Sequence, residues 1–304
     1  MRLGVHVVTY DFEGGPTAIA PMLAATGKAV DDAGIDNLSV MDHYWQMEMV
    51  GGPDLNMLEG YTTLGFLAAH TTSAELQLLV TGTTYRHPGL LAKIITTLDV
   101  LSGGRAVLGI GAAWYEAEAV GLGVPFPSTK ERFERLEETL RIVRQMWSDD
   151  EGPFDGTHYQ LGRTLNRPQP VRTPPIMVGG MGEKKTLRFV AKYADACNLF
   201  ADPTDPSGTL RKLDILREHC DNEGSSFDRL RKTITCMAPA DPAAGGAAFV
   251  EQMRGFADIG IDEVHVMPPS NDPAGFVRAL GEHVVPAPVE HAVSAALVGL
   301  RRPG

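Results

Sequence analysis

The sequence predicts an α/β protein folded as a (β/α)₈ barrel, and three observations carry that prediction. Short runs rich in Val, Ile and Leu recur eight times along the 304 residues, and most are too apolar for a strand with one wet face. Burial on both faces is the mark of a parallel sheet covered by helices. Stretches with a helical period separate the runs, so the chain reads as strand–helix units in series, which close into a barrel. Finally, no G-x-G-x-x-G opens a helix after the first run. That counts against a doubly wound open sheet, the competing arrangement. The length suits one barrel of about 250 residues with decorations: a single domain over 1–283 and a tail over 284–304.

The elements follow in order. LGVHVV (3–8) is the first strand, and Pro21 to Gly34 then keeps Met22, Leu23, Ala29, Val30 and Ala33 on one helical stripe. NLSVM (37–41) is the second strand; residues 44–57, YWQMEMVGGPDLNM, lengthen the loop after it. LQLLVTG (76–82) and RAVLGIG (105–111) are the third and fourth strands. The helix from Ser128 to Trp147 opens with a capping-box spacing between Ser128 and Glu131 and repeats Leu136, Leu140, Val143 and Trp147. Residues 149–174 form a second insertion, rich in Pro and Gly, in which FDGTHYQL reads as a small hairpin. PIMVGG (175–180), ACNLFA (196–201), KTITCMA (232–238) and EVHVMPP (263–269) are the remaining strands, with helices expected at 182–194, 206–223, 247–259 and 273–283. In the tail, HAVSAALVGL reads as a helical piece that caps the barrel or meets a partner.

Composition excludes several classes of function. The net charge of −11 and pI near 5.3 lack the basic footprint of a nucleic-acid binder. Cys197, Cys220 and Cys236 are odd in number and widely spaced, so neither a disulfide framework nor a zinc site is expected, and no metal-ligand spacing stands out elsewhere. The opening MRLGVHVVTYDFEGG has no long apolar core of a leader, and no 18-residue apolar stretch suggests a membrane span. A cytoplasmic setting fits.

In such barrels the active site lies at the C-terminal ends of the strands. Four of these ends are unusual here. Asp42 and His43 follow the second strand, and Thr81 to Pro88 after the third is dense in hydrogen-bonding groups. Gly109, Gly111 and Ala112 at the fourth are small enough for a flat ligand to approach the backbone. Gly179-Gly180-Met181-Gly182 after the fifth leads into a helix expected near Glu183, with Lys184 and Lys185 beside it. Free N–H groups at a helix N-terminus suit a phosphate. Taken alone, that turn is an ordinary entry into a helix; its coincidence with the other strand ends favours the phosphate reading.

His43 is the candidate acid–base group, since imidazole has an unperturbed pKa of about 6.5; a lone imidazole beside an apolar strand is more often structural. Asp42 could cap its loop. Trp114 and Tyr115 suit stacking on a planar ligand and packing equally. Arg86 reads as an anchor for a helix start, and His6 and His265 as packing groups inside the barrel.

The blocks VMDHYWQM, LVTGTTYRHPGLLAKIITTLDVLSGGRAVLGIGAAWYEAE and PIMVGGMGEKKTLRFVAKYADACN resemble the bacterial luciferase-like superfamily, in particular its branch dependent on the deazaflavin coenzyme F420. The resemblance runs from about residue 2 to 283. It implies a tricyclic 8-hydroxy-5-deazaflavin ring in the barrel mouth with its phosphate at Gly179, Gly180, Met181 and Gly182. It further implies coenzyme contacts from Asp42, Thr81, the backbone of Gly111 and Ala112, and Trp114, with a non-proline cis peptide around Leu78 to Val80. His43, beside Asp42, becomes the proton donor or acceptor for hydride transfer to or from an organic substrate, and a homodimer joined through barrel helices is implied. Other branches use reduced flavin mononucleotide (FMN) with oxygen and a separate reductase; a non-catalytic coenzyme-binding protein is the third reading.

The chain departs from its sugar-phosphate dehydrogenase relatives in two ways. Trp114 stands where an acidic residue follows the fourth strand, with Glu116 nearby, and no lysine trio is evident for a substrate phosphate. A sugar phosphate is therefore not expected. The Met- and Trp-rich 44–57 insertion suits a hydrophobic or mixed substrate.

Overall fold

A computed structural model describes residues 1–238, 241–269 and 271–285. In chain order the elements are β1 (Arg2–Val7), α1 (Pro16–Asp32), β2 (Asn37–Val40), a 3₁₀ turn (Glu48–Val50), α2 (Gly60–Ala68), β3 (Glu75–Leu78), β4 (Thr81–Gly82), α3 (Pro88–Ser102), β5 (Ala106–Gly111), α4 (Glu116–Gly121) and α5 (Thr129–Met146). There follow β6 (Phe154–Asp155), β7 (Gln160–Leu161), β8 (Ile176–Gly179), α6 (Thr186–Tyr193), β9 (Ala196–Phe200), α7 (Ser207–Glu223), β10 (Arg231–Met237), α8 (Pro242–Asp258), β11 (Glu263–Met267) and α9 (Pro273–His283). Parallel pairing runs β3-β2-β1-β11-β10-β9-β8-β5, and β5 returns to β3, closing an eight-stranded barrel. β4 continues β3 beyond a cis peptide between Leu79 and Val80 and pairs with β5. The hairpin expected in FDGTHYQL is β6–β7. The tail helix expected in HAVSAALVGL lies outside the described residues.

Local chemistry explains most boundaries. His87 accepts from the Gly89 amide at 3.3 Å, Pro88 occupies the first turn of α3, and Gly103 ends it at φ 71°. Ser128 caps α5 through the Glu131 amide at 3.3 Å, as its spacing predicts. Three boundaries differ from expectation. α1 begins at Pro16 and carries Pro21 within it. α8 begins at Pro242, capped by Asp241, and the non-helical Gly245 that looks like a loop in sequence only interrupts it. α6 begins at Thr186, because Gly180 at φ 130° and a turn over 183–185 occupy the stretch expected to be helical.

Alternate strand residues face the barrel interior. One side of that interior is apolar, with Val107, Met177 and Ala196 in contact. The other is polar: His6 bonds Ser39 at 3.0 Å, and Asn198 bonds Thr233 at 2.8 Å and Thr235 at 3.1 Å. His6 and His265 are buried as expected, and burial lowers their pKa to about 4 and about 3.

At the N-terminal end, Glu75 and the fully buried Glu263 share Arg2 and Arg231, with Arg231 to Glu75 at 2.6 Å. Burial pushes Glu263 up to about 7. Its carboxyl holds a proton in the folded chain at pH values where the unfolded chain has lost it. Stability from this group is therefore present below the ordinary carboxylate range and is lost as pH rises toward 7. The two histidines act with the opposite sign: their contribution is present above about 6.5 and is lost as pH falls toward their folded values. Glu263→Gln isolates the carboxyl. Its melting temperature, relative to wild type, is expected to rise from pH 5 to pH 7.5; a difference that is flat across that range would show that Glu263 stays ionised.

Candidate active site

The C-terminal ends of β2, β4, β5 and β8 form a continuous arc, because these strands are neighbours around the barrel. Asp42, buried at 3% exposure, accepts from the Gly82 amide at 3.0 Å and from both Arg86 nitrogens at 2.8 and 2.9 Å. Arg86 also reaches Glu59, the N-cap of α2. It therefore ties three segments together rather than anchoring a helix start. Burial alone would weaken its charge; the Asp42 carboxylate more than offsets this and lifts its pKa above the ordinary arginine range.

One residue further, His43 Nδ1 lies 2.7 Å from Glu118 Oε1. Glu118 comes from the short helix α4 and its side chain is fully buried. It also accepts from the Tyr85 hydroxyl and, through Oε2, from the amides of Tyr44 at 2.8 Å and Trp45 at 3.1 Å. Burial pushes its pKa up, but the bonds from His43 and Tyr85 outweigh that, and the carboxyl sits below its usual range. An ionised carboxylate can only accept. His43 Nδ1 therefore carries the proton, and Nε2 is the nitrogen left for a ligand. The edges of Trp114 and Tyr115 flank the ring at 5.5 and 5.7 Å between centroids, and these two stack on each other at 5.2 Å.

Glu118 is the functional residue that sequence reasoning misses. Attention falls on Trp114 and Glu116, immediately past the strand, yet Trp114 is 56% exposed and Glu116 is exposed too. α4 turns the chain so that the second acid of Glu-Ala-Glu faces inward. Trp45 seals this helix, since its ring fills the place a Cβ on Gly121 would need, 2.0 Å away. The 44–57 segment is thus bound to the site.

The glycines of the arc have a different neighbour from the one expected. A Cβ on Gly179 would come 2.8 Å from the Val80 side chain, one on Gly111 3.1 Å, and one on Gly109 3.3 Å. Val80 itself is half-buried. Gly111 and Gly179 make room for Val80, which forms the floor of the mouth, whereas a Cβ on Gly109 would first meet the Leu78 carbonyl at 2.2 Å. Thr81 is covered, with its hydroxyl bonded to Tyr61, and Asp42 is covered by Arg86. Both lie on the arc, but neither turns a free polar atom to the mouth.

At the end of β8, the amides of Met181 and Gly182 donate no hydrogen bond among the described residues. The nearest cation is Lys212 of α7, whose ammonium meets the Met181 carbonyl at 3.1 Å and Glu183 at 2.7 Å. Lys185 lies over the Phe133 ring instead, and Lys184 is exposed. Ala112 lends its carbonyl to Arg132 at 3.1 Å. Among the described residues, no cluster of His, Cys, Asp and Glu could hold a metal ion, and no helix is long and apolar enough to cross a membrane.

Comparison with known proteins agrees with this architecture. The profile of the luciferase-like monooxygenase family matches residues 1–275. An F420-dependent glucose-6-phosphate dehydrogenase of Kineococcus radiotolerans is 31% identical over 215 residues, 70% of this chain and 62% of that protein. Its namesake in Nakamurella multipartita is 28% identical over 231 residues, 76% of this chain and 65% of the relative. The chain thus spans less than two thirds of the length of these curated relatives. Among solved structures, an F420-dependent secondary alcohol dehydrogenase in complex with an F420–acetone adduct superposes with a TM-score of 0.74 at 16% identity, covering 93% of this chain and 98% of that one. The coenzyme F420-dependent tetrahydromethanopterin reductase of Methanopyrus kandleri gives 0.72 at 18% identity, covering 94% of this chain and 98% of that one. These two share the fold. With a family profile spanning nearly the whole chain and a closed barrel whose unusual strand ends meet on one rim, the chain belongs to the luciferase-like monooxygenase family.

Proposed function

We propose that this chain is an oxidoreductase dependent on coenzyme F420, with His43 as the proton donor or acceptor for a small organic substrate. The observation that carries the reading is the His43–Glu118 pair at 2.7 Å, set on the same rim as the Gly179–Gly182 turn. A barrel mouth with one pinned imidazole and an anion-receptive turn can hold a planar, phosphate-bearing coenzyme beside an acid–base group. The residues present fit that group. Among the described residues the amides of Met181 and Gly182 have no acceptor, Lys212 adds positive charge, and Val80 provides an apolar support against Gly111 and Gly179. The names of the relatives at 31% and 28% identity support the choice of coenzyme.

A bound deazaflavin supplies or accepts a hydride at its central ring carbon. The chain does the rest. The backbone N–H groups of Met181 and Gly182 would hold the phosphate, since the Gly180 amide is committed to the Asn198 carbonyl at 3.2 Å, while Val80 and the backbone of Gly111 and Ala112 would set the depth of the ring. Trp114 closes the outer edge. Asp42 and Thr81 act through the strand ends they fix. Glu118 keeps the proton on Nδ1 of His43, so that Nε2 faces the reacting atoms and exchanges a proton there. The buried Glu118 supports catalysis over mere coenzyme carriage, because it holds His43 in one tautomer and one orientation, which carriage does not require.

The test is a coenzyme titration. Purified protein is expected to bind F420 with micromolar or better affinity, and FMN much more weakly. The reverse ranking would transfer the protein to the oxygen-using, FMN-dependent reading.

A further inference from the structure

We infer that the substrate is an uncharged, predominantly apolar molecule, received by an arc of the barrel mouth opposite His43 that is built from Phe200, Met237 and Met267. The inference rests on the proposed function for the identity of the reaction, but not for the chemistry of the wall.

Three strand ends make that wall. Asn198, Thr233 and Thr235 bond one another inside the barrel, so their strands point these positions inward. Two residues on, in the same alternation, Phe200 pairs in register with Thr235, and Met237 with Met267. Each is the last residue of its strand, and so each stands at the open end of the interior. Phe200 is 63% exposed and Met237 50% exposed. β9 lies four places round the barrel from β2 in either direction, which puts Phe200 across the mouth from His43. Met181, whose sulfur accepts from the Phe200 amide at 3.2 Å, joins the wall to the phosphate-binding turn. Exposed apolar groups gathered at one open end of a barrel are the ordinary lining of a small-molecule site.

The distribution of charge excludes a second anion. Of the eight loops that leave the C-terminal ends of the barrel, those after β1, β2, β5, β9, β10 and β11 contain no Lys or Arg. Besides Asp42 and Glu59, the partners of Arg86, they carry Asp11, Glu13, Glu48, Asp54, Asp202, Asp205, Asp241 and Asp272. Of the other two, one has Arg86, already paired with Asp42 and Glu59, and the other has Lys184 and Lys185. Lys212 and Arg132, which lean in from helices, meet Met181 and Ala112. Every cation at this end is thus either neutralised or grouped around the ends of β5 and β8, where the coenzyme phosphate is placed. A phosphorylated substrate on the opposite arc would face acids and thioethers. This sets the chain apart from the sugar-phosphate chemistry in the names of its relatives.

The experiment uses 2-octanone and glucose 6-phosphate as probes, with binding followed by saturation-transfer NMR on the full chain, with and without F420. 2-Octanone is expected to bind and glucose 6-phosphate not to, at equal concentration. Phe200→Ala is expected to weaken 2-octanone by about tenfold or more, and Phe200→Leu by clearly less. F420 affinity, read from the coenzyme's absorbance, is expected to stay unchanged in both variants. Phe200 is exposed, so neither variant threatens the fold. The inference is overturned if 2-octanone fails to bind, if Phe200→Ala leaves its binding unchanged, or if glucose 6-phosphate binds more tightly. If F420 does not bind while 2-octanone still depends on Phe200, the wall stands and the coenzyme assignment falls.

Discussion

His43→Ala is expected to lower turnover by about 10²–10⁴-fold while leaving F420 affinity nearly unchanged. The reason lies in what the ring touches. Its Nδ1 is committed to Glu118, its side chain is only 13% exposed, and the edges of Trp114 and Tyr115 hold it on two sides. A ring held this way contributes little area to a bound coenzyme. It presents one nitrogen in one direction, which is what proton transfer at a fixed atom requires. Loss of the ring should therefore fall on kcat, with KM and coenzyme Kd little moved. His43→Asn is the sharper variant, since its amide can still donate to Glu118 but cannot exchange a proton at the mouth. Steady-state rates for both, on any substrate the wild type turns over, decide the matter. Turnover by His43→Asn at the wild-type level would remove His43 from the chemistry.

The same residue shows how far sequence alone reaches. The eight apolar runs mark the eight strands because both faces are buried: Val, Ile and Leu pack under the helices, and the few polar residues among them, such as Ser39, Asn198 and Thr233, bond one another or their neighbours inside the barrel. With the strands located, Asp42, His43, Gly111 and Gly179 fall on one rim by topology. What does not show is any feature that depends on the direction of a side chain across the barrel. Val80 reads as one more strand residue, yet it fills the space above Gly111 and Gly179. Arg86 and Asp42 are 44 positions apart, and no local spacing betrays their bidentate pair. α2 escapes periodicity because it is apolar nearly all round, with Gly60, Tyr61, Thr63, Leu64, Leu67 and Ala68 buried. Glu118 is hidden for the opposite reason. In a six-residue helix an acid normally faces water, and only the fold reveals the four donors that converge on it.

Those four donors set the second large effect. Glu118→Ala is expected to cost about 3–5 kcal/mol of stability, because it strands four half-buried donors that now share one carboxylate. The His43 imidazole, the Tyr85 hydroxyl and the amides of Tyr44 and Trp45 would all lose their acceptor at once. That variant alone cannot separate a structural role from a positioning one, so Glu118→Gln carries the distinction. The amide keeps the shape and one acceptor oxygen, but its NH₂ faces donors, at a cost of about 1–3 kcal/mol. The folded carboxyl lies below its usual range, so its stabilising effect is present at neutral pH and is lost as pH falls through the carboxylate region. The melting temperatures of wild type and Glu118→Gln should accordingly converge on acidification. The positioning role has its own signature in the ¹⁵N shifts of His43. The wild type should show a protonated Nδ1 and a bare Nε2 when the ring is neutral, and the variant a mixture of the two tautomers, with kcat falling while KM holds. If Glu118→Gln keeps the single tautomer and full turnover while losing stability, the carboxylate is a structural tie for the 44–57 loop, and His43 must owe its orientation to Trp114 and Tyr115.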